Sequence, residues 1–368
     1  MVIAGGGVLG TMHAVAARRR GFEVVQLERE PEARGASVRN FGLVWVSGRK
    51  AGPELALALR ARELWQELGA EVPGLGFRAA GSLTLAADDA ELGLLKEAAA
   101  LPDATRRGFE LLDPGAIRAV NPALRGEFAG GLLCRLDAIV EPRRVLPALR
   151  GYLAGEAYQW LPGREVTEVV PNAVRDHTGT WHHGDLVILC TGAAHNGVAG
   201  RYLARGGATA VRRVRLQMMQ TAPLAERITT ALADGDSLRY YPAYDLPGRA
   251  QLTPQSAAAQ QARAQLLLVQ RADGRLTIGD THEYAEPFAF DVDEDAYDHL
   301  RARAQTLLGM PVPRIQRRWA GVYSEVDPAA AGSALYHRSE VEPGVVLVTG
   351  PGGRGMTCSP AIAEETFR

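Results

Sequence analysis

Cysteine, lysine and long apolar runs are scarce in this 368-residue chain, and each scarcity excludes something. The three cysteines, Cys134, Cys190 and Cys358, follow no metal-ligand spacing and form no obvious disulfide set. A reducing, cytoplasmic setting is therefore expected. Lysine is confined to Lys50 and Lys96 while arginine is abundant, which reads as genomic bias and not as function. Neither sign of charge dominates: the formal net charge is −1, which argues against a nucleic-acid or membrane-surface partner. No apolar run approaches the ~20 residues that a bilayer span needs. Residues 1–10 lack the charged and apolar regions of a secretory leader, so none is expected.

What is present begins at once. Val2-Ile3-Ala4 is an apolar strand stub, and Gly5, Gly7 and Gly10 follow at G-x-G-x-x-G spacing. An alanine-rich helical stretch, Thr11 to Arg20, comes next. A second apolar run, Phe22 to Leu27, then ends in Glu28, 18 residues after Gly10. The first glycine turns the chain, the second lets backbone approach a pyrophosphate, and the third lets helix pack on strand. The helix start offers unpaired N–H groups and a positive dipole end to phosphates. Glu28 suits a ribose diol. The order of parts predicts dinucleotide binding, and the motif alone leaves NAD and FAD both open.

Further along, residues 52–70 are predicted to form an amphipathic helix, 77–86 a strand and 88–100 a helix. A short helix is expected to open at Leu111-Leu112-Asp113-Pro114 and end near Asn121-Pro122, and another to start at Glu141-Pro142. Val166–Val170 and 185–192 read as strands. Residues 211–290 look strand-rich, with Gln255–Gln265 as a loop or surface insertion. Residues 291–308 look helical. Val345–Gly350 is a last buried strand, with Ser359-Pro360 as N-cap and first turn of a terminal helix. Buried β runs far apart in sequence suggest one α/β unit threaded through another.

Three segments separate the cofactors. They are Ala36-Ser37-Val38-Arg39-Asn40-Phe41-Gly42-Leu43-Val44, Cys190-Thr191-Gly192-Ala193, and Thr349-Gly350-Pro351-Gly352-Gly353-Arg354-Gly355-Met356-Thr357. With the opening motif, the chain resembles the D-amino-acid-oxidase-type FAD-dependent oxidoreductases, which include glycine and sarcosine oxidases. The resemblance implies that Gly5, Gly7, Val8, Leu9 and Gly10 cradle the pyrophosphate, with Ala36 and Ser37 beside it. It implies that Glu28 and Arg29 serve the ribose end and that Val166 lies near the adenine. Asn40, Gly42, Leu43 and Val44 would run beside the flavin ring, Thr191 and Gly192 would flank the cofactor, and Gly353, Arg354, Gly355, Met356 and Thr357 would wrap the pyrimidine end. Reduced flavin is negative there, and glycine-rich backbone before a helix can aim N–H groups at it. Residues 37–45 and Leu276–Tyr284 are similar to a narrower clade linked with phosphonate catabolism, which implies an aminophosphonate substrate.

Candidate chemistry falls to Arg39, Asn40, His282, Tyr323 and Arg354. Relatives carry a W-x-G-x-R motif near the substrate carboxylate. Here Trp319-Ala320-Gly321-Val322 is followed by Tyr323, which can donate one hydrogen bond; the departure either argues against a plain amino-acid carboxylate or moves its anchor elsewhere. Arg39, Arg318 and Arg354 are candidates, because the guanidinium fork pairs bidentately with an anion. His282, Glu283 and Tyr284 are either pocket lining or a solvated loop. Tyr240-Tyr241 is either a pocket or a core pair. His182-His183 is a weak metal signal, and no metal is expected. Cys358 reads as a small buried residue.

The fold class expected is α/β, with a Rossmann-like FAD-binding domain (1–76, 139–205, 319–368) interleaved with an α+β, mixed-sheet substrate domain (77–138, 206–318). The function implied is oxidation of a small amine bearing an acid group to an imine that hydrolyses, with O₂ as electron acceptor. The alternatives are a glycine, sarcosine or D-amino acid oxidase, a same-fold dehydrogenase serving a quinone or carrier, and a flavin-binding subunit of a complex without turnover. No nucleic-acid or membrane partner is expected, and the oligomeric state is left open.

Overall fold

A computed structural model describes residues 1–205, 211–329 and 332–368. Among the described residues the strands assemble chiefly into two sheets. The first is six-stranded, in the order His337–Glu342, Val345–Thr349, Val187–Leu189, Val2–Ala4, Val24–Glu28, Tyr158–Pro162. Its strands run parallel except for the edge strand His337–Glu342. Its central strands Val2–Ala4, Val187–Leu189 and Val345–Thr349 are nearly continuous apolar runs because a parallel sheet is covered on both faces. One cover is the helix Val8–Arg18, which packs with the helices Pro142–Leu153 and Gly355–Thr366 around Ile3, Met12, Leu149 and Ile362.

The second sheet is eight-stranded. Its order is Ile315–Val326, Val211–Pro223, Arg275–Gly279, Leu267–Gln270, Ala231–Ala233, Ser82–Ala86, Gly130–Cys134, Phe109–Leu112. Its pairs are antiparallel save Ala231–Ala233 with Ser82–Ala86. The long strands Val211–Pro223 and Ile315–Val326 pair from Val211↔Val326 to Thr221↔Ile315. The mixed α/β class and the parallel nucleotide-type sheet agree with expectation.

Several boundaries move. Ile315–Val326 crosses residue 319 and lies whole in the second sheet. The break expected at 206 lies outside the described residues. The strand expected over 77–86 begins at Ser82, and Phe109–Leu112 forms an edge strand, so the short helix expected to open at Leu111 begins only at Pro114, capped by Asp113. The alanine/glutamine stretch is a short helix, Ala257–Ala262, capped by the Ser256 hydroxyl. The terminal helix starts at Gly355, which places Pro360 inside it. Pro360 has no N–H for the Met356 carbonyl. The Trp65 indole N–H, 3.1 Å away, and the Ser359 hydroxyl, 3.4 Å away, donate there instead.

Candidate active site

A cavity of about 1010 Å³ runs from the opening glycine loop to the second sheet, at the upper end of the ~300–1,000 Å³ usual for small-molecule sites. The nucleotide end is made of backbone. Gly5 has φ +119°, and a Cβ there would sit 2.2 Å from the Cys190 carbonyl oxygen. A Cβ on Gly10 would lie 2.1 Å from the Gly5 carbonyl oxygen, so the third glycine serves packing and not the cavity. The Glu28 carboxylate accepts the Gly6 N–H at 2.7 Å and the Glu30 N–H at 3.0 Å. Each oxygen keeps a second lone pair for a ribose hydroxyl. The Ser37 hydroxyl accepts the Val8 N–H at 2.9 Å, which ties the second loop to the helix start.

The middle of the cavity is bordered by two chain segments held together. The Asn40 side-chain amide donates to the carbonyls of Ala36 and Ser37, at 2.8 and 3.0 Å, and its Oδ1 accepts the Gly42 N–H at 2.7 Å. Its capacity is spent on the shape of its own loop, so it positions more than it reacts. The Thr357 hydroxyl accepts the Trp45 N–H at 2.9 Å and donates to the Leu43 carbonyl at 3.2 Å. This bridge joins the start of the terminal helix to the residue 36–45 segment. Gly355 has φ −54°, ordinary helical backbone, and the nearest atom to a Cβ there is 3.4 Å away. Left-handed backbone that favours glycine lies just before it, at Gly350 and Gly352, with φ +70° and +61°. Arg354 and the buried Arg49 share one oxygen of the buried Glu54, at 3.5 and 3.6 Å. Two guanidiniums on one carboxylate leave an excess positive charge beside the glycine loop.

The far wall is made of side chains. Tyr240 stacks on His282 with ring centroids 4.3 Å apart and meets Tyr241 edge-on at 5.1 Å. Both tyrosines line the cavity, and Tyr241 also packs in the core, so the two alternatives coincide. His282 is buried, which answers the question of a solvated loop, and its Nδ1 lies 3.1 Å from the Arg263 carbonyl. Glu283 instead faces Arg215, at 2.7 Å. The Tyr323 hydroxyl is buried with no hydrogen-bond partner among the described residues, and burial pushes its pKa well up. Arg39 is exposed at the cavity wall, donates to the Ala320 carbonyl at 2.8 Å, and has no carboxylate within ion-pair distance among the described residues.

All five candidate chemical residues line this cavity, as do Gly5, Gly7, Val8, Leu9, Glu28, Arg29, Ala36, Ser37, Leu43, Val166, Thr191, Gly192 and Gly353–Thr357. Gly10, Gly42 and Val44 do not. Val44 is a fully buried strand residue, and Gly42 at φ +67° backs onto the Val140 carbonyl. Arg318 pairs with Glu294 at 3.0 Å and lies outside the lining, which removes it as an anchor. His182 pairs with Asp176 at 2.9 Å, and no cluster among the described residues is placed to hold a metal ion. Cys358 is fully buried. Sequence reasoning missed Arg49, Glu54, Gln265 and Asp280, all in the lining. The signal for Asp280 was there: an acid directly after a strand, two residues before His282.

The residues fit an FAD. A Cβ-free cradle at Gly5 and a carboxylate with spare lone pairs at Glu28 suit its nucleotide half. The buried Thr191 hydroxyl, without a partner among the described residues, lines the same space. The whole chain, residues 1–368, matches the DAO family, FAD dependent oxidoreductase. The protein belongs to that family. Its curated relatives include the ThiO oxidoreductase of Rhizobium etli, assigned to thiamine biosynthesis, 32% identical over 204 residues. That match covers 54% of this chain and 55% of ThiO, so the chain spans about half the length of that relative. Among solved structures, glycine oxidase from Bacillus cereus superposes with a TM-score of 0.78 at 18% identity, covering 99% of this chain and 92% of that one. L-Proline dehydrogenase from P. horikoshii gives 0.77 at 19%, covering 99% and 90%. At such identities the likeness shows a shared fold. FAD is the cofactor of this family member. No helix among the described residues is long and apolar enough to cross a membrane.

Proposed function

We propose that this FAD enzyme oxidises a small amine bearing an acid group, an aminophosphonate or its N-methyl form, to an imine that hydrolyses, with electrons passing to O₂. The observation that carries the reading is the donor set at the far wall. Tyr323 offers a buried, unspent hydroxyl, and Arg39 offers a guanidinium without a carboxylate partner among the described residues. The uncompensated charge of Arg49 and Arg354 over Glu54 lies along the same cavity. A phosphonate presents three oxygens and wants more than one donor; a charge-assisted contact contributes about 1.5–3 kcal/mol.

When bound, FAD accepts a hydride equivalent from the carbon next to nitrogen. The chain's own residues hold that carbon in place. The Tyr240–His282 stack walls the site, apolar Leu216 and Met218 keep water from it, and Tyr323 and Arg39 orient the acid group. The first sheet with its helices acts as the FAD-binding domain and the second sheet as the substrate domain. Three buried free cysteines agree with a reducing, cytoplasmic setting.

The test is a panel of amino acids, N-methyl amino acids and aminophosphonates, assayed for peroxide release and for anaerobic bleaching of the flavin. An aminophosphonate is expected to give the highest kcat/KM. Glycine, sarcosine or a D-amino acid performing as well would overturn the phosphonate assignment. The dehydrogenase among the structural neighbours favours a second reading, in which bleaching occurs without peroxide and a quinone or carrier restores the colour. A flavin that no amine bleaches would leave only a binding role.

A further inference from the structure

We propose that Asp280 and His282 form the amine-recognition site, taking N–H hydrogen bonds from the substrate nitrogen; this deepens, and rests on, the amine-oxidation reading above. Both residues lie just beyond the strand Arg275–Gly279, where the chain leaves the second sheet at the cavity wall. Asp280 is 6% exposed and His282 4%. Asp280 is fixed twice to Gln265. Their backbones exchange hydrogen bonds at 2.8 and 3.0 Å, and the Gln265 side-chain amide donates to Asp280 Oδ1 at 3.1 Å. The other carboxylate oxygen, Oδ2, faces His282 Nε2 at 3.9 Å, beyond hydrogen-bond reach.

The tautomer of His282 follows from its other side. Nδ1 lies 3.1 Å from the Arg263 carbonyl, which can only accept, so Nδ1 carries the proton. In the neutral ring Nε2 is then a lone pair. A carboxylate oxygen and an imidazole lone pair thus face each other across a gap, with no donor from the described residues bridging them. The ring cannot turn away freely: it is stacked on Tyr240, and its backbone N–H is bonded to the Ala262 carbonyl at 3.0 Å. Among the described residues no lysine or arginine lies within ion-pair distance of Asp280. Burial pushes its carboxyl up, and a cation seated beside it would favour the charged form.

A primary or secondary amine in its ammonium form supplies what this corner lacks, two N–H donors and one positive charge. A tertiary or quaternary amine cannot supply both donors. The proton that the ammonium sheds before oxidation can pass to His282 Nε2, where Asp280 stabilises the imidazolium. The corner also lies against the glycine loop, since the Tyr240 hydroxyl is 3.6 Å from where a Gly353 Cβ would be. Acceptors here and donors at Tyr323 and Arg39 divide the cavity wall into an amine half and an acid half.

The experiment compares wild type with Asp280→Asn, both FAD-loaded, by titrating the visible flavin spectrum without oxygen. The probes are matched pairs: glycine against acetate, and 2-aminoethylphosphonate against ethylphosphonate. In the variant, affinity for the amine member is expected to fall tenfold or more, while affinity for the amine-free acid changes less than twofold. The variant's thermal midpoint without ligand is expected to equal or exceed that of wild type. Unchanged amine affinity, an equal loss for both members, or a lowered midpoint would overturn the proposal. Should Asp280→Asn fail to retain FAD, His282→Asn is read by the same affinity outcomes. Wild type bleached by an amine that Asp280→Asn binds equally well sinks this inference alone. Wild type that no probe amine perturbs or bleaches sinks the amine-oxidation reading, and this inference with it.

Discussion

The two ends of the cavity are built from different materials. At the nucleotide end the working groups are mostly main chain, glycines without Cβ and helix-start N–H groups within residues 5–10, joined by the Glu28 carboxylate and the Ser37 and Thr191 hydroxyls. At the far wall they are side chains of residues 39, 240, 280, 282 and 323, carried by the loop after Ala36–Val38, the short helix Ser237–Tyr240, the segment that follows the strand Arg275–Gly279 and the strand Ile315–Val326. Backbone sites tolerate no added atom, whereas side-chain sites tolerate exchange at the cost of specificity. The contrast explains how one fold can keep a cofactor while its substrate wall varies.

The sharpest way to break the comparison is at the backbone end. Gly5→Ala places a methyl 2.2 Å from the Cys190 carbonyl oxygen at φ +119°, which costs roughly 3 kcal/mol or more through overpacking and strain. Purified protein should carry no visible flavin absorbance. Full FAD content would show that this end is as adaptable as the other.

The scaffold behind that end has its own weakness in acid. His13, fully buried on the helix Val8–Arg18, is held near pKa 4 by burial. Its folded value lies below the ordinary one, so the unfolded chain binds the proton first as pH falls. Stability is unaffected above about pH 6.5 and declines by about 1.4 kcal/mol per pH unit from there towards pH 4. Denaturant titrations across that window should show the slope, and His13→Gln should flatten it.

The side-chain end is expected to behave in the opposite sense. Tyr323→Phe removes a buried hydroxyl with no partner among the described residues. The ligand-free protein should gain about 1 kcal/mol of stability, while an acid-bearing ligand should bind more weakly by a similar amount. A loss of stability in the free protein would mean that the hydroxyl serves the fold.

The smallest effect sharpens the boundary between the two ends. Gly355→Ala meets ordinary helical φ and a nearest contact of 3.4 Å, so stability should change by less than ~1 kcal/mol. FAD content and the visible spectrum then report whether this glycine is reserved for the ring. An unchanged spectrum would move the close approach to Gly352 and Gly353.

Legibility in the sequence follows the same division. The opening loop, Glu28 and the parallel strands were readable because their constraints are local: a glycine spacing, an acid at a strand end, an apolar run. Tyr323 could be flagged only as a departure from an expected arginine. Asp280 escaped notice because its meaning lies in His282 Nε2, whose tautomer is set by a carbonyl at residue 263, in a stretch that reads as a loop. The inward shift of Pro360 was equally hidden, since the indole that compensates it is Trp65, nearly 300 residues away. Side-chain partners across such separations leave no periodic trace.

The threading of the first sheet governs when the site can exist at all. The strand Val2–Ala4 needs Val187–Leu189, which needs Val345–Thr349, and His13 of the opening helix meets Thr366 of the terminal one at 2.9 Å. At roughly 5–20 residues per second, translation takes about 20–70 s to deliver those partners. Through that interval the glycine loop is made but has neither its second wall nor its buttressing helix. A complete flavin cradle therefore waits on the helix Gly355–Thr366, however early its glycine loop is made.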